Sequence, residues 1–421
     1  MWFFTAFLNL RHKRTIDNLP TSKTQGVFIG LAELKGTAES EVPLVSYLAG
    51  SNCIYYSWKV EEHWSRTVTE TYRDGKGHVR TRTRTESGWK TVGQDSRLIP
   101  FYIKDETGIL RIVPEGAKIQ ANTVFNQTCN PGNALYFEKG PAGEVSNSTH
   151  QRRFTEAAIP LHAMLYVLGQ ARERQDIVAA EIAQDKAASM FIISTRSEKQ
   201  ISTGYSRWFW FWFALGLLIS AGSGAGGGWL AGTEISLIWR PIVEMLIGYL
   251  LLLLITYIWT TYNSFINLHL RVEQAWSQVE VQLKRRNDLI PNLIKVVDGF
   301  RLHESETQKV IAELRKQAEA TPPGVKGPDF RGLWPVLQIT FEHYPELQAN
   351  QSFLNLQHSL TDTEQRIALA RDYYNEIATF MNNRLEMIPD RYVAILARLH
   401  SSTLMGAADF ERAPVNVNLA K

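Results

Sequence analysis

The chain is predicted to be a multidomain membrane protein, with a β-rich, barrel-like N-terminal domain, a two-helix transmembrane hairpin and a long antiparallel α-helical bundle at the C-terminus. Three observations carry this reading. Short β-branched and aromatic runs bounded by turn residues fill residues 20–200. Two apolar stretches without a charged residue follow, at 208–231 and 245–258. Beyond 263, apolar residues recur at spacings of three and four, the signature of one buried helix stripe. A chain of 421 residues, 44% hydrophobic and 21% charged, suits two or three folding units, and a net charge of +3 points to no particular partner.

The N-terminal run MWFFTAFLNL is followed by Arg11, His12, Lys13 and Arg14. Charges after the apolar run reverse the order of a secretory signal. Ten residues at ~1.5 Å each cannot cross a ~30 Å hydrocarbon core as a helix. Segment 1–19 therefore reads as an interfacial amphipathic anchor, with Trp2, Phe3, Phe4 and Phe7 in the lipid boundary and Arg11, Lys13 and Arg14 at anionic headgroups. The alternative is a hydrophobic arm packed on the N-terminal domain.

Within 20–200, strands are expected at 25–32, 52–60, 99–104, 108–113 and 190–194, forming a closed or partly closed β domain. Residues 66–73 and 79–85 flank the turn sequence DGKG of 74–77, a hairpin. The alternation VRTRTRT puts Arg80, Arg82 and Arg84 on one face of a strand and Thr81, Thr83 and Thr85 on the other. Neither face is apolar, so the hairpin is expected to project into solvent, as a polar arm or as a contact for phosphate or an acidic neighbour. Without interleaved aromatics for base stacking, it does not point to nucleic acid. Residues 161–169 read as a strand, whereas 171–184 have helix-forming composition, and the boundary stays open. The two cysteines, Cys53 and Cys129, are too few for a zinc ring. They are either buried free thiols or, in an oxidising compartment, a pair.

The hairpin occupies 205–262, with spans at about 208–231 and 241–262 joined by a loop too short for a domain, so both flanking domains fall on one side. Alternating Trp and Phe at 208–213 suit the interfacial belt. Gly216, Ser220, Gly224 and Gly228 lie four apart and form a flat face for close helix approach, the alternative being a flexible end of the span. Arg196, Lys199, Arg207 and Arg271 flank the hairpin against Arg240 alone in the loop, which favours cytoplasmic domains.

The helical domain covers 263–421. Its first stripe is Leu268, Val272, Ala275, Val279 and Leu283; Pro291 is expected to interrupt or bend the helix, after which Leu293, Val297, Phe300, Thr307, Ile311 and Leu314 resume the repeat around a polar slot at His303 and Glu304. TPPGVKGP at 321–328 must be a loop. A second stripe, Phe353, Leu356, Leu360, Thr363, Ile367, Ala370, Tyr374, Ile377 and Met381, suits coiled-coil-like packing against the first, antiparallel. In that register Lys284, Arg285 and Arg286 either pair with acids such as Asp362 or Glu364 or form a solvated face. After Pro389 a short amphipathic helix at 392–399 can close the bundle.

No motif for nucleophilic or metal-assisted catalysis is present, neither HExxH nor GxSxG, and GSGAGGG at 222–228 lacks the strand, Lys and Ser or Thr of a phosphate loop. Glu61, Glu62 and His63 are adjacent, so a strand sends them to alternate faces. No catalytic residue, cofactor or metal is expected.

The stretch VEQAWSQVEVQLKRRNDLIPNL (272–293), with FLNLQ (353–357) and TEQRIALARDYYN (363–375), resembles the LemA family of bacterial membrane proteins over about 255–418. The resemblance implies a membrane-rooted helical bundle in a bacterial inner membrane, with no established chemistry. GVFIG (26–30), YVLG (166–169) and FIIS (191–194) more weakly resemble the GIDE domain of a mitochondrial membrane ubiquitin ligase. In that ligase a C-terminal zinc ring does the catalytic work. This chain has its LemA-like part in that place and lacks the cysteines, so ligase activity does not carry over. The expectation is a non-enzymatic scaffold that contacts membrane lipid, self-associates as a homo-oligomer and organises membrane or recruits membrane proteins. An accessory role in a membrane proteolytic or stress-response system, and an enzyme with an unrecognised site in the β domain, are the alternatives.

Overall fold

A computed structural model describes residues 2–73, 79–174, 179–185, 190–232, 234–299 and 351–405. The expected turn at 74–77, the polar slot at His303 and Glu304, the stripe from Phe300 to Leu314 and the loop at 321–328 lie outside the described residues, as do the side chains of Leu293, Val297 and Phe353. The chain forms two compact units, one of residues 21–201 and one that joins residues 1–20 to 202–421.

The first unit is built from two sheets. In the larger, β2 (Gly30–Glu39), β6 (Phe101–Lys104), β7 (Ile109–Ile112), β11 (Met164–Glu173) and β12 (Ala180–Ala183) pair in a closed ring, because β11 pairs with β2 as well as with β12. It is extended by β1 (Thr21–Ser22), parallel to β2, and by β13 (Ile192–Ser194), antiparallel to β11, with β8 (Lys118–Gln120) parallel to β13. The period-2 pattern fills the interior: Ala32, Leu34 and Ala38 of β2, Phe101 and Ile103 of β6, Leu110 and Ile112 of β7, and Leu165, Val167 and Ala171 of β11 are all buried in one core. Closure leaves only the short β1 and β8 as edges of this sheet among the described residues.

The second sheet runs β3 (Leu44–Val45), β4 (Asn52–Arg73), β10 (Ser148–Pro160) and β9 (Asn122–Cys129), with β5 (Val79–Leu98) on β4. A short helix, α2 (Ala134–Glu138), starts at Asn133, whose side chain accepts from the Leu135 N–H. The helix-forming stretch at 171–184 contains strand and no helix among its described residues: β11 continues to Glu173, and β12 (Ala180–Ala183) buries Ile182 and Ala183. Pairing and burial override a propensity of a few tenths of a kcal/mol per residue. Cys53 and Cys129 are free and buried, in separate apolar clusters. Burial pushes the Cys53 thiol up to about 11, the nearby charge of Glu156 adding to it.

The second unit is helical: α1 (Trp2–Asp17), α3 (Glu198–Leu230), α4 (Trp239–Gly299), α5 (Gln351–Glu386) and α6 (Asp390–Leu396). Two of its helices, α3 and α4, are long and apolar enough to cross a membrane, and only 11% of each apolar window is buried. Leu218 at 70% exposure and Ile255 at 62% would be untenable in the core of a soluble protein and are what a lipid-facing surface requires. The spans and the first helix of the LemA-like region are not separate elements, since α4 runs unbroken from Trp239 through Pro291 to Gly299. Of the interruption or bend expected at Pro291, the interruption is absent. One missing N–H costs about 3 kcal/mol, which a helix of 61 residues absorbs.

Beyond the span, α4 and α5 pack antiparallel. Of the two stripes read from spacing, Leu268, Val272, Ala275 and Val279 of α4 and Leu360, Thr363, Ile367, Ala370, Tyr374, Ile377 and Met381 of α5 are buried, whereas Leu283 and Leu356 are half-buried. Trp276 meets Tyr374 edge to face at 5.4 Å. Arg285 lies 3.9 Å from Asp362 and Arg286 3.4 Å from Glu364, the register anticipated for that basic cluster.

Candidate functional site

The helices α1, α3, α4 and α6 meet at one junction of the helical unit. Phe7 of α1 is buried with Tyr249 and Leu253 of α4, backed by Leu10, Phe213, Leu217 and Tyr257. Its ring meets Phe209 edge to face at 6.4 Å, and His12 meets Tyr205 at 5.4 Å. The Ser202 hydroxyl donates to Asp17 at 2.5 Å, fixing the end of α1 to α3. The apolar arm thus packs on the membrane helices of its own unit. Among the basic residues expected at headgroups, Arg11 is exposed, Lys13 pairs with Asp17, and Arg14 turns inward. Trp2, Phe3 and Phe4 lie on α1, and their side chains are outside the described residues.

Arg14 enters a polar knot centred on Asp390 at the start of α6. Asp390 accepts from Tyr257 Oη at 2.5 Å, Arg14 Nη2 at 3.2 Å and Arg384 Nη2 at 2.5 Å. Arg14 also donates to Thr261 Oγ1 at 2.6 Å and lies over the Tyr257 ring; Arg384 donates to Ser264 Oγ at 2.9 Å and lies over the Phe265 ring. Burial opposes ionisation of Asp390, but the Tyr257 hydrogen bond and the two guanidinium charges outweigh it and hold the carboxyl below the usual range. One carboxylate shared by two guanidinium groups joins the consecutive helices α5 and α6 to α1 and α4, which are far away in sequence. Sequence spacing carries no trace of it; the one available sign is an acid directly after Pro389, at the start of a short amphipathic helix.

The small-residue face of α3 is turned to α4. A Cβ on Gly224 would lie 2.6 Å from the Ile242 Cα, and one on Gly228 2.9 Å from Pro241 Cγ. Gly216 is buried and Ser220 half-buried on the same stripe. The close approach this face permits is therefore made to α4 of the same chain, within the hairpin.

In the β unit, β4 and β5 form a long ribbon whose outer part is exposed. Its register stacks Arg66, Val68, Glu70 and Tyr72 opposite Glu86, Arg84, Arg82 and Arg80, and Thr67, Thr69 and Thr71 opposite Thr85, Thr83 and Thr81. Arg80, Arg82 and Arg84 thus share one face, with acids interleaved: Glu86 takes both Arg66, at 2.8 Å, and Arg84. Among the described residues β5 pairs with β4 alone, so its other edge is open. Charges along an open edge discourage pairing with another strand.

Glu61, Glu62 and His63 have separate partners. Glu61 pairs with Arg153 and Lys59, His63 Nδ1 lies 2.9 Å from Thr149 Oγ1, and Glu62 is fully buried against Arg152. The Arg152 guanidinium also donates to the carbonyls of Tyr136, Pro141 and Gly143 at 2.9–3.0 Å and stacks 4.0 Å from the Tyr136 ring centroid, pinning the loop between β9 and β10. Burial of Glu62 is outweighed by its hydrogen bonds from Ser148 and Arg152, and its carboxyl sits below the usual range. Glu33, fully buried beside Thr21, Tyr166 and Lys35, goes the other way: desolvation dominates and raises it. Among the described residues no three His, Cys, Asp or Glu side chains converge as metal ligands.

Comparison with known proteins agrees with the motifs. Residues 275–419 match the LemA family, and residues 68–226 match the GIDE family, described as E3 ubiquitin ligase. The second match includes YVLG and FIIS but begins after GVFIG. Protein LemA of Metamycoplasma hominis is 24% identical over 152 residues, covering 35% of this chain and 69% of that protein. Magnetosome protein MamQ of Magnetospirillum gryphiswaldense is 25% identical over 191 residues, covering 37% of this chain and 70% of that protein. The chain is thus a membrane protein in which a GIDE-like region runs into the first span and a LemA-like region continues out of the second.

Proposed function

We propose that this protein is a non-enzymatic scaffold of a bacterial inner membrane, which self-assembles and organises membrane or recruits membrane proteins, with both domains cytoplasmic. The observation that carries the reading is the continuity of α4, which passes from the span directly into the α4–α5 pair. A helix without a joint transmits position from bilayer to helical domain, as a scaffold needs. Because the Gly face of α3 is taken up by α4, self-assembly has to use the helical pair. There α4 leaves Leu270 and Val281 exposed, on a side that α5 does not cover. The polar ribbon of the β unit offers a separate surface for recruited partners.

Native mass spectrometry of the full chain in nanodiscs tests assembly: more than one copy per disc is expected, reduced to one by Leu270→Asp with Val281→Asp. A monomer at all loadings would overturn self-assembly. Cysteines introduced at Thr69 and Ser401 should both react with an impermeant maleimide only after the cytoplasmic face is opened; reaction in intact cells would refute the orientation.

A further inference from the structure

The short helix α6 has two unlike faces. Val393 and Ala394 are buried, whereas Tyr392, Ile395 and Leu396 are exposed at 61, 62 and 77%. Met387 and Ile388, just before the helix, are exposed too. Five large apolar side chains within ten residues are poorly placed for water. The groove beside them is apolar as well, formed by Val393 and Leu396 of α6 with Ile255, Ile258 and Trp259 of α4. Those α4 residues belong to the second span, near its end, where Trp259 and Tyr262 suit the interfacial belt. The exposed face of α6 is therefore continuous with a surface that already faces lipid. Arg391 and Arg398 are exposed at the two ends of the helix, as a headgroup layer would favour. On its other side the helix is held by the Asp390 knot, so its depth relative to the span is set by Tyr257 and Arg14.

We propose that residues 387–396 form an interfacial anchor, inserted at the acyl–headgroup boundary of the bilayer that α3 and α4 cross, with the groove between α4 and α6 holding a phospholipid acyl chain. The C-terminal helix pair would then be tied to the membrane at both ends of its path, through α4 and through α6. This rests on the membrane-spanning reading of α4, and the test separates the two.

Nitroxide labels at Ile388→Cys, Tyr392→Cys and Leu396→Cys are read in full-length protein reconstituted into phosphatidylethanolamine–phosphatidylglycerol vesicles. Leu251→Cys serves as the span reporter and Thr69→Cys as the aqueous reference. The native thiols are buried, so the introduced ones label selectively. The expected result is oxygen collision exceeding that of a nickel chelate at 388, 392 and 396, as at 251 and opposite to 69. Nickel access at 388, 392 and 396 with 251 still lipid-exposed would overturn the anchor and leave the span intact. Nickel access at 251 too would overturn the span and the anchor with it. Shielding of 392 and 396 from both reagents would mean a protein cover, which also overturns the proposal.

Discussion

Two buried networks of acids and arginines, one around Glu62 in the β unit and one around Asp390 in the helical unit, solve different problems. In the β unit, Glu62 and Arg152 form a one-to-one pair, and the remaining guanidinium donors go to three carbonyls of a single loop. The pair is local in effect: it closes a loop against a sheet. In the helical unit, Asp390 is shared between Arg14 and Arg384, and its partners come from elements up to 376 residues apart. That network sets how helices sit along the span. A buried ion pair adds little net stability over an apolar replacement, but breaking one is costly because the remaining charge is stranded. The same chemistry therefore serves closure in one unit and alignment in the other.

Breaking the closed pair should have the largest effect. Arg152→Ala strands Glu62 and three carbonyls in a dry site and should cost about 3–5 kcal/mol, read from denaturant unfolding of the β unit. A loss under about 1 kcal/mol would show that the pair is not dry. Asp390→Ala leaves two guanidinium groups facing one another, but these are more exposed, at 13 and 11%, so about 2–3 kcal/mol is expected. Hydrogen exchange should rise together in α1 and α6 while the middle of α5 stays protected. Independent changes in α1 and α6 would contradict the alignment role. Gly224→Val should force α3 and α4 apart at a cost of about 1–3 kcal/mol, read from denaturant unfolding of the full chain in detergent; an unchanged midpoint would contradict the close approach.

Acidity separates the sites further. Glu62 and Asp390 have lowered folded values, so their contribution is complete above the ordinary values of 4.5 and 3.8 and is lost as pH falls through the folded ones. Glu33 has a raised value, so its contribution is complete below 4.5 and is lost as pH rises through the raised value. Glu33→Gln should therefore stabilise the β unit more at pH 7 than at pH 4.5, in paired thermal melts; equal shifts at both would refute the raised value. The smallest effect belongs to the ribbon, where Arg66→Ala should leave the melting temperature unchanged, since exposed pairs are solvated on both sides of unfolding.

Much of the architecture was legible because it is periodic. The α4 and α5 stripes, their antiparallel register and the placing of Arg285 and Arg286 opposite Asp362 and Glu364 all follow from side chains that repeat every three or four residues. The alternation of β4 and β5 placed Arg80, Arg82 and Arg84 on one face for the same reason. What could not be read has no period. Residues 171–173 and 180–183 have helical composition and became strand because β2 and β7 were there to pair with. Gly216, Ser220, Gly224 and Gly228 show that some helix comes close, and only the fold shows that it is α4.

The sequence by itself determined two spans, a β-rich region before them and a helical region after them, because hydrophobicity, length and period are local properties of the chain. The tertiary structure alone decided that Arg14 turns from headgroups to Asp390, that α4 continues through Pro291, and that α6 lies beside the end of the span. The first and last of these depend on groups 376 and 133 residues apart in the chain coming together, and nothing in the order of neighbouring residues records that meeting.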